Sequence, residues 1–179
     1  MTGAFDQVRL HVVTGKGGTG KTTVATALAS AMAQAGHHVL LAEVEQRAGL
    51  EHLLDGDTLT ATETMLREFA GGGRLSAVAV DPRSALQEYL ERYYKLGLAG
   101  KLVDRAGAVD FAASIAPGLR DVLLTGKIYD AVRRRDRSGA PVYDQVVLDA
   151  PPTGRVSQFL NVSAEVSGLA KVGPVHNQS

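Results

Sequence analysis

A glycine-rich turn between an apolar run and a helical segment constrains this chain more than any other feature. The turn reads GKGGTGKT, from Gly15 to Thr22, and fits the pattern Gly-x-x-x-x-Gly-Lys-Thr. Residues 8–14 before it are apolar and rich in β-branched side chains, and residues 22–35 after it carry apolar residues at helical spacing. A strand that passes through such a turn into a helix is typical of a phosphate-binding loop. The sequence therefore predicts an α/β fold built around a polyphosphate site.

Further apolar runs and helical segments predict the rest of the fold. Besides residues 8–14, strands are expected at residues 39–44, 75–80 and 142–148, and the polar stretch before Gly71 to Gly73 is interpreted as a connection. Further helices are expected at residues 85–98, at residues 108–132 with an interruption at Pro117-Gly118, and at residues 158–169. In the first helix the predicted apolar stripe consists of Val24, Leu28, Ala31 and Met32. The predicted fold class is the α/β fold of P-loop NTPases, a mostly parallel β-sheet with helices on both faces. Residues 1–179 are expected to form one domain, with residues 83–135 as a helical insertion.

The residues of the glycine-rich turn have distinct predicted roles in holding a polyphosphate. Glycines let backbone N–H groups converge on phosphate oxygens, and the positive end of the following helix faces the same anion. Lys21 is expected to bridge the β- and γ-phosphates, the hydroxyl of Thr22 to bind magnesium, and Thr23 to contact the α-phosphate. The residues predicted to bind the nucleotide are Gly15, Lys16, Gly17, Gly18, Thr19, Gly20, Lys21, Thr22, Thr23, Pro152 and Gly154.

A second lysine in the turn, Lys16, is not required by the backbone cradle. One interpretation is a solvated lysine at the tip of the loop. The other is that Lys16 reaches the phosphate of a nucleotide bound to a second copy of the protein. A cation delivered from a partner accelerates phosphoryl transfer by roughly 10³–10⁵ in arginine-finger systems. On that interpretation dimerisation switches hydrolysis on.

The segment VVLDAPPTGR, residues 146–155, supplies the second half of the predicted site. An apolar strand delivers Asp149 at its carboxyl end, where a carboxylate across from Thr22 can act on magnesium through a bound water. Pro151 and Pro152 stiffen the chain, and the backbone N–H of Gly154 can meet the γ-phosphate and sense its presence. An aspartate after an apolar strand is also an ordinary strand end, and its pairing with the glycine-rich turn is what favours the functional interpretation.

Composition excludes several classes of function. The chain has no cysteine, which removes disulfides, thiolate nucleophiles, and zinc or iron–sulfur sites held by cysteine. Its 19 basic residues balance its 19 acidic residues, so no general electrostatic attraction draws it to nucleic acid or to an anionic membrane. No run approaches the roughly 18 apolar residues of a membrane span. The expected protein is soluble and cytoplasmic, without nucleic acid or zinc.

Two motifs resemble those of a known group of ATPases. Residues 16–23, KGGTGKTT, resemble the deviant Walker A pattern of the ParA, MinD, nitrogenase-iron-protein and ArsA class, whose first lysine acts across a dimer. Residues 149–155, DAPPTGR, resemble the D-T-A-P-T-G-H switch of the arsenite-pump ATPase and of the ATPase that targets tail-anchored proteins. The resemblance runs from residue 8 to about residue 169 and favours the ArsA branch. It implies a magnesium-dependent ATPase that works as a homodimer or heterodimer and couples ATP or ADP binding to a hydrophobic or membrane-protein client. It also implies that these 179 residues are an N-terminal portion of a longer chain.

The chain departs from the ArsA pattern after the second strand. The family usually has S-T-D-P-A-H-N-L-S-D, whereas residues 43–52 read EVEQRAGLEH. The resemblance implies that Glu45 takes the acidic position near magnesium. The aspartate that orients the attacking water aligns with His52 or, with a one-residue gap, with Glu51. Alternatively, Glu51 and His52 lie on a solvated helix. Arg155 replaces the histidine after the switch glycine and could add a phosphate contact or an interface ion pair.

Other functions are consistent with parts of the sequence. A positioning ATPase of the ParA or MinD kind would carry a terminal amphipathic basic helix, which the tail KVGPVHNQS does not provide. A weakly hydrolysing or non-hydrolysing regulator would bind ATP and stabilise a partner. The apolar residues 98–132 either cover the sheet or form a client surface, and residues 133–137, RRRDR, are interpreted as a solvated turn.

Overall fold

The computed structural model describes residues 7–44, 59–82, 84–85, 88 and 117–170. The strands are β1 (Leu10–Val13), β2 (His38–Glu43), β3 (Thr64–Glu68), β4 (Arg74–Ala79) and β5 (Gln145–Asp149). The helices are α1 (Lys21–Gln34), α2 (Pro117–Arg133) and α3 (Thr153–Ala170). Most of the predicted helix at residues 85–98 lies outside the described residues, as does the part of the next helix that precedes Pro117.

The five strands form one sheet in the order β1-β5-β2-β4-β3. Four of them are parallel, and β3 runs antiparallel to β4 at one edge. β5 therefore lies between β1 and β2, which places Asp149 beside Val13 on one side and Glu43 on the other. This arrangement confirms the predicted α/β class with a mostly parallel sheet. It also brings the carboxyl ends of β1, β2 and β5 to the same edge of the sheet.

Helices cover both faces of the sheet, as predicted. On one face α1 packs on side chains from β2, β4 and β5, and the core there includes Val39, Leu41 and Val147. On the other face α2 and α3 pack on the alternate side chains of the same strands, around the fully buried Phe159. Strands covered on both faces lack exposed polar positions, which explains the nearly continuous apolar runs of β2 and β5.

The predicted apolar stripe of α1 is partly wrong. Met32 is buried and Leu28 packs against the core, as predicted, whereas Val24 is 56% exposed and Ala31 is also exposed. The other buried residues are Ala25, Ala29 and Ala33, which are spaced about one helical turn apart, and their small side chains let the helix backbone lie close to the sheet. Close packing thus selects small side chains where the prediction gave weight to larger ones.

The prediction of four strands is also wrong, because it omitted β3. Of the five residues of β3, only Leu66 is partly buried and the other four are exposed. An edge strand of this kind carries no continuous apolar run, so its sequence looks like a polar connection. The glycines interpreted as punctuation form the turn between β3 and β4, where Gly72 has φ +82° and its N–H donates to the carbonyl of Phe69. Gly73 is needed for close packing, because an added Cβ would lie 1.9 Å from the carbonyl oxygen of Ala33.

The residues before Pro117, the first described residue of α2, lie outside the described part, so the predicted interruption at Pro117 stays a prediction. Two boundaries differ from the prediction by three residues or more. α3 begins at Thr153, five residues before the predicted start at residue 158. β5 begins at Gln145 rather than at residue 142.

Residues 133–137 are not simply a solvated turn, because Arg134 holds three elements together. Its Nη2 donates to both carboxylate oxygens of Glu63, at 2.6 and 2.7 Å, just before β3 begins. The hydroxyl of Tyr143 donates to the same carboxylate at 2.8 Å. Burial, together with the Glu63 carboxylate, raises the pKa of Tyr143 to about 12. We call Glu63, Arg134 and Tyr143 the β3 clasp, because they fasten the entry of the edge strand to the end of α2.

Candidate nucleotide-binding site

The glycine-rich loop leads directly into α1 and leaves the amino end of that helix open. Gly18 and Gly20 have φ of +76° and +80°, a backbone conformation that favours glycine. Gly20 occupies the N-cap position, where no side chain of the described residues caps the helix. The first turn of α1 also contains no acidic residue. The N–H groups and the positive end of the helix dipole are thus available to an anion.

Contacts among residues of the glycine-rich loop keep it compact. Thr19 Oγ1 donates to the carbonyl of Lys16 at 2.8 Å. An added Cβ at Gly15 would lie 2.9 Å from Thr19 Oγ1 and 3.5 Å from Lys21 Cγ. Gly15 therefore allows the stem of Lys21 to fold back over the start of the loop, while the side chain of Lys16 is exposed.

Thr22 and Asp149 are brought together, although 127 positions separate them in the sequence. Thr22 Oγ1 donates to Asp149 Oδ2 at 2.6 Å, a short distance typical of a hydroxyl donating to a carboxylate. Asp149 is only 6% exposed and lies at the carboxyl end of β5. Thr22 lies in the first turn of α1, so the hydroxyl and the carboxylate meet beside the open helix end.

The segment after Asp149 is fastened to β1 and to the loop. The N–H of Ala150 donates to the carbonyl of Val13 at 2.9 Å, and Thr14 Oγ1 donates to the carbonyl of Pro151 at 2.7 Å. The N–H of Thr153 then donates to the carbonyl of Gly15 at 3.3 Å. A movement of the loop would thus act directly on the start of α3.

Gly154 lies in the first turn of α3 and is exposed. An added Cβ there would meet no described atom within 4 Å, so packing among the described residues does not demand glycine. The neighbouring Pro152 is half-buried and its carbonyl accepts the N–H groups of Arg155 and Val156 at 2.7 and 3.1 Å. Thr23, predicted to contact the α-phosphate, is exposed in the first turn of α1.

Arg155 forms an ion pair with an acidic residue of the same chain, and its predicted contacts with phosphate or with a partner stay predictions. Its guanidinium is 3.7 Å from Asp121 Oδ1 in α2, so the ion pair is within the chain. The Asp121 side chain is only 9% exposed, whereas that of Arg155 is 52% exposed. The pair links the first turn of α3 to α2, the helix that follows the residues 89–116 outside the described part.

Glu43, predicted only as an interruption of an apolar strand, lies at the same end of the sheet as Asp149. Glu43 is the last residue of β2, is 4% exposed, and is the register partner of Asp149 on β5. The signal that identified Asp149, an acidic residue at the carboxyl end of a buried parallel strand, applies equally to Glu43. Three predicted residues, Glu45, Glu51 and His52, lie outside the described residues.

The donors at this site suit magnesium. Thr22 offers a hydroxyl and Asp149 a carboxylate, and oxygen ligands are those that hard divalent cations prefer. Across the part of the chain that the structure describes, no group of three or more His, Cys, Asp or Glu side chains could hold a metal ion. Magnesium in nucleotide sites uses one or two protein ligands and takes the remainder from phosphates and water, so the available donor set fits.

Comparison with known proteins decides the family. The family model described as anion-transporting ATPase matches residues 8–177, nearly the whole chain. The chain belongs to the anion-transporting ATPase family. The resemblance predicted from the loop and from residues 149–155 is therefore confirmed.

Two relatives show how the chain is related to other family members. It is 55% identical over 172 residues to ATPase BagA of Mycobacterium tuberculosis, covering 96% of this chain and 51% of that protein. It is 30% identical over 178 residues to ATPase get3 of Schizosaccharomyces japonicus, covering 93% of this chain and 50% of that protein. The chain thus spans about half the length of these relatives in the family. None of the described helices is both long enough and apolar enough to cross a bilayer.

Proposed function

We propose that this chain binds ATP with magnesium in the loop of residues 15–22 and hydrolyses it to ADP and phosphate. The observation that carries the proposal is the 2.6 Å hydrogen bond between Thr22 and Asp149, beside an uncapped helix end. A glycine-rich loop alone could be an ordinary turn. A buried carboxylate held against the first hydroxyl of the helix is the second half of a phosphate-loop site.

Each part of the loop has a role in this proposal. The loop N–H groups and the end of α1 bind phosphate oxygens, and Lys21 neutralises charge at the β- and γ-phosphates. Thr22 and Asp149 would hold magnesium, which when bound neutralises the charge that develops on the phosphate oxygens. The three N–H and hydroxyl contacts that fasten residues 150–153 to β1 and to the loop keep that arrangement in place.

Lys16 is proposed to act on the nucleotide of a partner copy. Its carbonyl is occupied by Thr19, and its side chain is exposed, as a side chain that reaches across an interface must be. A dimer, either of this chain or with a related ATPase, would then be the hydrolysing form. Because ATP is supplied in the cytoplasm, we place the activity there.

Nucleotide state is proposed to reach a hydrophobic or membrane-protein client through α3 and α2. Gly154 in the first turn of α3 can approach the γ-phosphate, and the Arg155–Asp121 pair joins that turn to α2. We further propose that residues 1–179 are one P-loop domain of a longer protein and that residues 83–135 are its helical insertion.

The proposal is tested by calorimetry of ATP and ADP binding with and without Mg²⁺. Wild-type protein is expected to bind both nucleotides, and Asp149→Asn to lose most of the increase in affinity that Mg²⁺ provides. Asp144→Asn is a matched control, because Asp144 precedes the same strand but is exposed, and its carboxylate accepts the N–H of His38 away from the loop. No heat of binding to folded wild-type protein would refute the proposal.

A further inference from the structure

We propose that Glu43 supplies a second carboxylate to the magnesium site, through the water molecules that the ion retains. This inference rests on the proposed function, because it assigns a residue of this chain to the same site. The ArsA pattern has serine at the position of Glu43, so a carboxylate here is a departure of this chain from that pattern.

Strand register places Glu43 beside Asp149. In the parallel ladder between β2 and β5, the Cα atoms of Glu43 and Asp149 are partners. Neighbouring strands lie about 4.8 Å apart, and partners in a parallel ladder present their side chains on the same face. Two positions earlier, the partners Leu41 and Val147 both pack against α1. Glu43 and Asp149 therefore lie on the α1 face, at the end of the sheet where α1 begins.

Glu43 and Asp149 are both buried. Glu43 and Asp149 are 4% and 6% exposed, so two carboxylates of adjacent strands share a region with little water. Because little water screens these side chains, they attract a nearby cation more strongly than exposed carboxylates would. The hydroxyl of Thr22, already 2.6 Å from Asp149, lies on the same side of the pair. A divalent cation beside Thr22 would be attracted by both carboxylates.

The side chain of Glu43 is long enough to reach a water molecule bound to the ion. Magnesium dehydrates reluctantly and keeps several of its waters, and these waters need acceptors for their hydrogen atoms. Glu43 has one methylene more than aspartate and starts on the strand next to Asp149, so it can accept from a water without displacing it. Groups that orient metal ligands in this way typically change metal affinity by 10- to 100-fold when they are removed.

The inference is tested with Mn²⁺ as a spectroscopic substitute for Mg²⁺. Binding of Mn²⁺ to the complex with ADP is measured by electron paramagnetic resonance for wild type, Glu43→Gln and Glu43→Asp. Glu43→Gln is expected to weaken Mn²⁺ binding by about 10- to 100-fold while the affinity for metal-free ADP stays unchanged. Glu43→Asp, which keeps the charge, is expected to recover most of that loss. Glu63→Gln removes a carboxylate from the β3 clasp and is the matched control expected to bind Mn²⁺ normally.

Unchanged Mn²⁺ affinity in folded Glu43→Gln would overturn the inference and leave the proposed function standing. Failure of wild-type protein to bind ADP would instead overturn the proposed function, and this inference with it. If Glu43→Gln does not fold, Fe²⁺ in the wild-type ADP complex, supplied with hydrogen peroxide and ascorbate, can generate hydroxyl radicals that cut the backbone near the metal. Cuts beside both Glu43 and Asp149 support the inference, and cuts beside Asp149 without cuts in β2 refute it.

Discussion

Replacing Thr22 by valine tests the centre of the site in a way that separates folding from binding. Valine has nearly the same shape as threonine but no hydroxyl, so the 2.6 Å hydrogen bond to Asp149 is lost. Hydrogen bonds to charged groups contribute about 1.5–3 kcal/mol, and Asp149 is 6% exposed, so water replaces the lost donor poorly. We expect nucleotide-free Thr22→Val to be less stable by about 1.5–3 kcal/mol. For a domain of this size that corresponds to a fall in Tm of roughly 3–12 °C.

The same substitution should also remove most of the stabilisation that Mg·ADP provides. A ligand at 100 times its Kd stabilises a protein by about 2.7 kcal/mol, and a 100-fold weaker Kd reduces that increment to about 0.4 kcal/mol. Thermal unfolding with and without Mg·ADP measures both effects in one assay.

Thr26→Val is the matched control, because Thr26 lies one turn further along α1 and donates only to the carbonyl of Thr22. It should keep its Mg·ADP increment. A Thr22→Val variant with wild-type stability and a full Mg·ADP increment would refute the role of this hydrogen bond.

Three further predictions test other parts of the structure. Lys16→Ala should retain ATP binding by calorimetry but lose turnover by roughly 10³-fold or more, and unchanged turnover in a phosphate-release assay would reject action across a dimer. Gly73→Ala should lower the free energy of unfolding, measured in urea, by about 2–3 kcal/mol, because the added Cβ would lie 1.9 Å from the carbonyl oxygen of Ala33. Gly17→Ala is the control: its Cβ would meet no described atom within 4 Å, so the free energy of unfolding should fall much less. The pKa of Tyr143 is raised to about 12, so between pH 10 and 12 the unfolded chain binds fewer protons than the folded chain and stability falls as pH rises. That loss, on the order of 1–2 kcal/mol after allowing for solvent screening, should be absent from Tyr143→Phe in urea titrations at several pH values.

The sequence predicted the sheet class and the meeting of Thr22 with Asp149 because both follow from strong local patterns. A glycine-rich turn has few structural alternatives, and buried parallel strands have apolar runs that are easy to find. Glu43 carried the same signal as Asp149. It was overlooked because the significance of a strand-end carboxylate depends on which strand lies next to it, and strand order is not readable from one chain.

The parts that sequence reasoning missed depend on tertiary contacts. β3 is exposed at four of its five residues and pairs with β4 at the edge of the described sheet, so its residues show little apolar periodicity. The alanine face of α1 is selected by close approach to the sheet, a property of two elements together. Arg134 stands in a basic run that looks solvated, and only its bidentate contact with Glu63 reveals its structural role.

The insertion of β5 between β1 and β2 has a consequence for biogenesis. During synthesis, the glycine-rich turn leaves the ribosome well before residue 145. Until β5 has been made, β1 and β2 lack the strand that lies between them. Residues 1–144 cannot complete the five-stranded ladder without β5, and pairings so distant in sequence form slowly. Affinity for nucleotide would then arise only after the late strand has docked, so ligand retention distinguishes finished molecules from unfinished ones during synthesis.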